Sequence, residues 1–155
     1  MPADERAFRH RNLPLLLLQA RERVIARFRP ALNAAGVTEQ QWRIVRALLE
    51  FGPLEPRQIV TLCAISSPSL AGVLARMDAL GLVTRTRLDH DQRRLQVALT
   101  AKSRALARRL APQIEAVYDE IERRIGRRFT QDFYATLDEL VGRLDEPDDE
   151  APDPG

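Results

Sequence analysis

The chain of 155 residues is 45% hydrophobic and 30% charged, which allows a real core and suits one domain, or one lobe with an assembly segment. Its formal net charge of +2 hides an asymmetry, because the last eleven residues carry six acids and no base, whereas residues 1–144 carry 24 bases against 16 acids. That basic body suits a polyanionic partner, and the lack of any apolar run near the roughly 20 residues of a bilayer span excludes an integral membrane protein.

The first two elements are predicted to be helices. Apolar residues recur three and four positions apart from Leu13 onward, which marks an amphipathic helix that ends near Pro30 or Leu32. A second helix begins after Thr38, a good N-cap because its hydroxyl can accept a backbone N–H, and it ends at Gly52. Each helix carries an apolar stripe and is therefore expected to pack against a core.

Two shorter helices follow, with few residues between them. The third opens at Glu55–Pro56, where proline is tolerated in the first turn, and ends near Cys63–Ala64. The fourth begins after Ser66 and stops at Gly81. Its predicted buried stripe is Leu70, Val73, Leu74 and Met77. Two short helices this close together are typical of a helix-turn-helix.

After the fourth helix the hydrophobic period changes to two, which indicates β-strands. The segments LVTRTRL and LQVAL read as paired strands, and the charged stretch DHDQRR between them reads as the tip of a hairpin. The sequence therefore predicts a hairpin with a basic tip, a wing, directly after the helix-turn-helix.

The C-terminal third is predicted to form two helices and a tail. Thr100 caps a long helix, which Pro112 interrupts and bends, and Gly126 ends it. Thr130 is expected to cap a last helix. The acidic, proline-containing residues 146–155 are expected to be disordered.

The face of the fourth helix opposite its buried stripe carries small side chains and one base, namely Pro68, Ser69, Gly72, Ala75 and Arg76. Small side chains let a helix approach the floor of a major groove, and Arg76 can reach a phosphate or a guanine edge. Ser66, Ser67 and Ser69 offer hydroxyls near the helix N-terminus, which itself attracts phosphate. Taken alone, the pattern also fits an ordinary surface helix with a serine-rich cap.

Four arginines gather on the hairpin, at Arg85, Arg87, Arg93 and Arg94. Directly after a helix-turn-helix, such a cluster suits phosphates or the narrow minor groove of the same duplex. Asp89 or Asp91 can hold one of these arginines through a charge-assisted pair and so fix its direction. Without the preceding helices the cluster would be interpreted as a solvated loop, so the prediction of DNA contacts depends on the two elements together.

Four segments together resemble the MarR family of bacterial regulators over roughly residues 10–145. They are GVTEQQWRIVRAL, LARMDALGLVTR, DHDQRRLQVALT and LTAKSRAL. Against the wing pattern of that family, D-x-R-D-R-R, this chain matches at Asp89, Arg93 and Arg94. Asp91 stands where arginine is usual and Gln92 where aspartate is usual. The usual Asp–Arg pair of the wing is therefore in doubt, and Asp91 is a candidate to replace it.

The resemblance implies a mainly α-helical winged helix-turn-helix with a small β-hairpin, assembled as a homodimer. It divides the chain into an N-terminal dimerisation helix (1–34), a DNA-binding lobe (35–100), C-terminal dimerisation helices (101–145) and the tail (146–155). It also implies a cytoplasmic, nucleoid-associated repressor that binds a palindromic operator in double-stranded DNA. The segments LLLLQARERV, FRPALNAAGVTEQQWR and DQRR look like the subgroup that controls homoprotocatechuate and related aromatic-acid catabolism.

In this family, small anionic aromatic effectors bind between the dimerisation helices and the DNA-binding lobe. The resemblance therefore implies release by a homoprotocatechuate-like or hydroxynicotinate-like carboxylate, which needs a cation and an apolar or aromatic wall. The candidate residues are His10, Arg11, Arg21, Trp42 and Arg43. His10 can equally be a solvent-exposed residue, and Trp42 a core residue. Arg21 can equally pair with Glu22 or Glu39.

Three other functions compete with this one. An enzyme finds little support, because His10 and His90 are far apart in sequence and no metal-ligand spacing or phosphate loop occurs, so we expect neither metal nor cofactor. A redox-sensing repressor would use Cys63, but this single cysteine lies among aliphatic residues, and its packing in a reducing cytoplasm is the better interpretation. The third is a winged helix that contacts only proteins.

Overall fold

The computed structural model describes residues 7–147 and confirms a mainly α-helical fold with one antiparallel hairpin. Residues 148–155 of the predicted tail and the first six residues lie outside the described range. The chain divides between Ile114 and Glu115 into two compact units. The elements in chain order are α1 (Leu13–Ala34), α2 (Glu39–Phe51), α3 (Pro56–Cys63), α4 (Ser67–Ala79), β1 (Val83–Leu88), β2 (Asp91–Leu99), α5 (Ala101–Ile125) and α6 (Arg127–Asp145).

Helix α1 is longer than its sequence pattern predicts. It continues through Pro30 to Ala34, so an end near Pro30 is wrong, and the helix ends two residues beyond the other predicted position, Leu32. Proline removes one N–H from the helical ladder. Phe28 and Leu32 are both buried, and their packing on either side of the proline keeps the last turns helical despite that loss.

Helix α2 supplies the centre of the first unit. Its N-terminus has the predicted capping box, since Thr38 Oγ1 accepts from Gln41 N at 3.1 Å and Gln41 Oε1 accepts from Thr38 N at 3.1 Å. The most deeply buried hydrophobic side chains around it come from α2, α3, α4 and the base of the hairpin, namely Ile44, Val45, Leu48, Ile59, Leu70, Met77, Val83 and Val97. The first unit thus has an aliphatic core, to which α1 and α5 add the buried side chains of Leu32 and Leu110.

Helices α3 and α4 form the predicted helix-turn-helix. Their axes differ by 110°, within the range of that motif. The connection turns at Ala64, which adopts a left-handed conformation with φ 51°. At the other end of α4, Gly81 has φ 72°, and Leu82 N donates to Met77 O at 2.8 Å, which closes the helix as predicted for a C-terminal glycine.

The hairpin pairs β1 with β2 in antiparallel register from Val83 opposite Leu99 to Arg87 opposite Leu95, and an irregularity follows Arg87. A short bridge adds Leu54, two residues before α3, to this sheet, because Leu54 N donates to Val97 O at 3.0 Å and Val97 N donates to Leu54 O at 2.8 Å. The base of the wing is therefore hydrogen-bonded to the helix-turn-helix through backbone groups.

The C-terminal helices differ from the prediction at one proline, Pro112, and at one threonine, Thr130. Thr100 caps α5 as predicted, since its Oγ1 accepts from Ser103 N at 3.2 Å, but α5 then continues through Pro112 without interruption. Helix α6 begins directly after Gly126, so the prediction of a cap at Thr130 is wrong. The hydroxyl of Thr130 donates to Gly126 O at 2.7 Å, one turn back along the helix.

Candidate nucleic-acid interface

The outward face of α4 has the composition that the sequence predicts. Leu70, Leu74 and Met77 are buried, whereas the residues on the opposite side are all exposed, namely Pro68, Ser69, Gly72, Ala75 and Arg76. Nothing lies within 4 Å of the position that a Cβ on Gly72 would take. This face is therefore open along two turns of the helix and presents mainly backbone and small side chains, as entry into a major groove requires.

The three serines at the start of α4 are exposed, at Ser66, Ser67 and Ser69. Ser66 is the N-cap residue, as predicted, but its hydroxyl donates to Ser69 Oγ at 3.0 Å and makes no capping bond to the backbone. The N–H groups of the first turn thus lie under hydroxyls that can turn toward a ligand. A helix N-terminus of this kind attracts phosphate oxygens.

Two of the four wing arginines are held by carboxylates of the helix-turn-helix. Arg94 of β2 donates from Nε and Nη2 to the two carboxylate oxygens of Glu55, both at 2.9 Å. Arg85 of β1 contacts Asp78 Oδ2 of α4 from Nε and Nη2, both at 3.0 Å. We call these contacts the two wing ion pairs. They place the wing beside α4, as a shared DNA-binding surface requires.

The first wing ion pair shifts the titration of both partners. Hydrogen bonds from the Arg94 guanidinium hold the pKa of the Glu55 carboxyl below its ordinary range, and Arg57, 3.5 Å away, acts in the same direction. The same contact raises the pKa of Arg94. Glu55 is therefore ionised, and Arg94 paired, throughout the physiological pH range.

The carboxylates that accept from Arg94 and Arg85 are Glu55 and Asp78, and the prediction that Asp89 or Asp91 holds a wing arginine stays a prediction. Asp91 Oδ1 accepts instead from the backbone N–H of Arg93 at 3.0 Å, inside the tip. Aspartate side chains commonly accept from a backbone N–H two residues further along the chain. Arg87 and Arg93 are exposed, and among residues 7–147 no carboxylate lies within ion-pair distance of Arg93.

Sequence reasoning missed both carboxylates of the wing ion pairs. Asp78 lies seven residues before Arg85, so a prediction that joins the end of α4 to the first strand could have found this pair. Glu55 lies 39 residues before Arg94, and its sequence neighbourhood indicates only a helix start. Only the bridge between Leu54 and the second strand brings it to the wing.

The five predicted effector residues lie in different environments. His10 and Arg11 are exposed ahead of α1. Arg21 donates to Glu39 at 2.6 Å, which is one of the two ion pairs that the sequence leaves open for it. Trp42 is buried in the core of the first unit. These positions favour a structural role for Trp42 and leave the guanidinium of Arg21 occupied in this state of the protein.

Arg43 belongs to a chain of polar contacts that includes residues of α1, α2 and α3. It donates to both oxygens of Glu39, at 3.1 and 2.6 Å, and from Nη1 to the carbonyl oxygen of Cys63 at 2.6 Å. Glu39 therefore bridges Arg21 on α1 and Arg43 on α2, and Arg43 continues to the last residue of α3. This polar chain links α1 to the turn before α4.

Cys63 has the environment of a packing residue. It is buried, and its Sγ donates to the carbonyl oxygen of Arg43 at 3.7 Å. Burial raises the pKa of the thiol, against a smaller opposite effect of the Arg43 charge. Because the thiolate is the reactive form, a raised pKa and lack of access both disfavour oxidation.

Two helices expose apolar residues in a contiguous stretch or stripe, each in its own unit. On α1 these are Leu13, Leu15, Leu16, Leu17 and Leu18. On α6 they are Phe129, Phe133, Tyr134, Val141 and Leu144, and no residue of that helix is buried. Two of the α6 rings, Phe129 and Phe133, stack with centroids 6.0 Å apart. Amphipathic faces of this kind need a partner surface.

A cavity of about 350 Å³ lies between the end of α1 and α5, and none of the five predicted effector residues lines it. It combines small apolar walls with one cation and one amide, and its lining is Ala31, Ala34, Ala35, Leu106, Arg109, Leu110 and Gln113.

Of the helices within residues 7–147, none is by itself long and apolar enough to cross a membrane, although α3 and α4 meet that test when taken together across their bend.

Comparison with known proteins places this fold among DNA-binding regulators. The MarR family model matches residues 35–94, which cover α2, the helix-turn-helix and the wing up to Arg94. The HTH-type transcriptional regulator FarR of Neisseria gonorrhoeae is 40% identical over 119 residues, 77% of this chain and 82% of the relative. The homoprotocatechuate degradative operon repressor of Escherichia coli is 39% identical over 132 residues, 85% of this chain and 89% of the relative.

A solved structure extends the match to the terminal helices. NadR in complex with 4-hydroxyphenylacetate superposes with a TM-score of 0.76 and 38% sequence identity, covering 90% of this chain and 97% of that one. The similarity therefore includes the whole fold and is not confined to the lobe that the family model matches.

Proposed function

Because this chain belongs to the MarR family of transcriptional regulators, we propose that it is a homodimeric repressor of an aromatic-acid catabolic operon, which binds a palindromic operator and releases it when a small aromatic carboxylate binds. The observation that carries the proposal is the adjacency of two surfaces. The exposed, small-residue face of α4 lies beside a wing with four arginines, and the Arg85–Asp78 ion pair joins the two.

The DNA contacts divide into groove and backbone contributions. We assign the helix N-terminus, with Ser66, Ser67, Pro68, Ser69, Gly72 and Arg76, to the major groove and its flanking phosphates. We assign the wing, with Arg85, Arg87, Arg93 and Arg94, to phosphates and the minor groove. Supporting this assignment, the outward residues of α4 are exposed and the wing is hydrogen-bonded to the same lobe.

The proposed dimer uses the helices outside this lobe. Residues 1–34 and 101–145 would form the interface, and residues 35–100 would read DNA. The exposed leucines of α1 and the exposed aromatic side chains of α6 support this division, because within residues 7–147 both sets are left open to solvent. Two lobes related by a two-fold axis would read half-sites about one helical turn apart.

The proposed effector is a hydroxylated aromatic ring with a short carboxylate arm. The E. coli relative represses a homoprotocatechuate operon and the NadR structure holds 4-hydroxyphenylacetate, which share that chemistry. A hydroxynicotinate-like acid, with the carboxylate directly on the ring, is the second candidate. In either case the carboxylate needs a cation. Arg21 and Arg43 could serve only by leaving Glu39, with which an anionic effector would compete.

Release of DNA would follow from a population shift. An effector that prefers the dimer whose lobe spacing does not fit the operator lowers DNA affinity by the ratio of its affinities for the two states, commonly about 1–3 kcal/mol. The chain of contacts from Arg21 through Glu39 and Arg43 to Cys63 O gives such an effector a route from α1 to the turn before α4.

One experiment tests the proposal as a whole. A duplex is selected by the protein from a pool of random sequences, and its release is followed by fluorescence anisotropy on addition of hydroxyphenylacetates, hydroxybenzoates and hydroxynicotinates that first raise the melting temperature. We expect a palindromic duplex and release by a hydroxyphenylacetate. Failure to bind any duplex would point to a winged helix that contacts only proteins, and release by peroxide without any acid would point to Cys63.

A further inference from the structure

The two wing ion pairs fasten both strands of the hairpin to the helix-turn-helix. Glu55, the residue before α3, holds Arg94 of β2, and Asp78 of α4 holds Arg85 of β1. Each carboxylate belongs to a different helix of the motif. Together they restrain the wing against rotation about its base, which a single contact could not do.

Glu55 is well placed for this restraint. Its side chain is only 15% exposed, although Arg94 is 46% exposed, so the carboxylate is the more fixed partner. Both of its oxygens accept from one guanidinium, a fork geometry that sets direction as well as distance. Its neighbour Leu54 makes two backbone hydrogen bonds with Val97. Leu54 and Glu55 thus bind β2 at two points, one through the backbone and one through a side chain.

The charge of these carboxylates is unfavourable for the proposed function unless they have another role. A negative charge beside a surface that faces phosphates weakens DNA binding through repulsion. Glu55 and Asp78 both lie beside the surface formed by α4 and the wing. Their contribution through arginine positioning and their contribution through charge therefore have opposite signs, which makes the two separable.

We propose that Glu55 and Asp78 are positioning residues for DNA binding, which hold Arg94 and Arg85 so that the wing presents the unpaired Arg93 to the duplex. The inference rests on the proposed function, and it assigns different roles to arginines that the sequence alone treats as equivalent. Arg94 and Arg85 fasten the wing. Arg93, exposed at the tip and without a carboxylate partner in residues 7–147, is a wing arginine whose phosphate contact competes with no ion pair.

The test asks whether one substitution raises or lowers the affinity for DNA. Glu55→Gln removes a negative charge and keeps the shape of the side chain, so repulsion alone predicts tighter binding to the selected duplex. Positioning predicts weaker binding, by about fivefold to tenfold at about 0.1 M salt, since each protomer of a dimer loses one ion pair of modest strength. Asp78→Asn is expected to change affinity in the same direction. Melting temperatures check that the variants are folded.

Two further variants complete the experiment. Asp89→Asn removes the same charge from the tip without touching a wing ion pair, and it should bind at least as tightly as the wild type. In an Arg94→Ala background, Glu55→Gln should weaken binding no further, because the positioned group is already gone. If the wild type binds the duplex and Glu55→Gln binds it no more weakly, this inference is overturned and the proposed function is not. If the wild type binds no duplex, the proposed function is overturned as well.

Discussion

The lobe of residues 35–100 and helix α6 are built from similar aliphatic and aromatic side chains but bury them to different extents. In the lobe, Ile44, Met77 and Val97 are completely buried. On α6, by contrast, Leu144 is 76% exposed and no residue is buried. The apolar side chains of the lobe are thus buried within a single chain, whereas those of α6 are exposed, as the proposed dimer requires. Transfer of one large aliphatic side chain from water is worth about 1.5–3 kcal/mol, so an open face of several such residues is a strong drive to associate.

The largest expected effect lies in the lobe. Ile44→Ala should lower the free energy of unfolding by about 3–4 kcal/mol, because the side chain is fully buried and its removal leaves a cavity. Leu62→Ala on α3 is the matched control, since Leu62 is 47% exposed, and it should cost less than about 0.5 kcal/mol. Urea unfolding at one protein concentration measures both. Equal effects would show that the lobe core is not closed.

A charge on α6 tests the other half of the comparison. Phe133→Glu should raise the dissociation constant of the dimer by at least about a hundredfold, because a carboxylate would enter an apolar interface. Leu62→Glu, also an exposed apolar position but in the lobe, should leave the dimer intact. Sedimentation velocity over a dilution series gives the constants, and circular dichroism checks the helices. A dimer that survives Phe133→Glu would remove α6 from the interface.

The salt dependence of DNA binding shows whether an arginine of the lobe or an arginine of α6 contacts phosphate. Arg93→Ala should reduce the slope of log affinity against log salt by about one for each protomer, because one phosphate contact is lost. Arg143→Ala, on the exposed surface of α6, removes the same charge outside the lobe and should leave the slope nearly unchanged. Anisotropy titrations at several salt concentrations supply the slopes. The assignment of DNA contacts to the lobe fails if the two variants behave alike.

The smallest effect concerns a single titration within the lobe. Arg94 holds the pKa of Glu55 below its ordinary value, so the stabilising contribution of this ion pair is complete above the ordinary value and is lost as pH falls from that value through the lowered one. Arg94→Ala should raise the pKa of Glu55 toward its ordinary value. Carboxyl carbon chemical shifts of Glu55 measured by NMR across acidic pH check this. Identical midpoints in the wild type and the variant would contradict the ion pair.

Local patterns accounted for most of the secondary structure. The capping box at Thr38, the N-cap position of Ser66 and the helix stop at Gly81 were all predictable, because each depends on residues within one turn. The wrong predictions concern Pro30, which packing tolerates inside α1, and Thr130, which lies one turn inside α6. In both cases a local signal for a boundary was overridden by the continuity of an apolar face.

The functional surface was predictable in composition but not in its internal pairing. The small residues of α4 and the arginines of the wing could be identified from periodicity and charge. The partner of Arg94 could not, since Glu55 lies 39 positions earlier and only the bridge between Leu54 and the second strand brings it to the wing.

By itself, the sequence determined the order of helices and strands, the outward face of α4 and the basic character of the wing, because periodicity, caps and composition act over a few residues. Only the tertiary structure decided which carboxylates hold Arg94 and Arg85, that Glu39 occupies Arg21 and Arg43, and which apolar faces stay uncovered. The physical reason is that these contacts join residues from separate elements, as far as 39 positions apart, and their geometry exists only after those elements have packed.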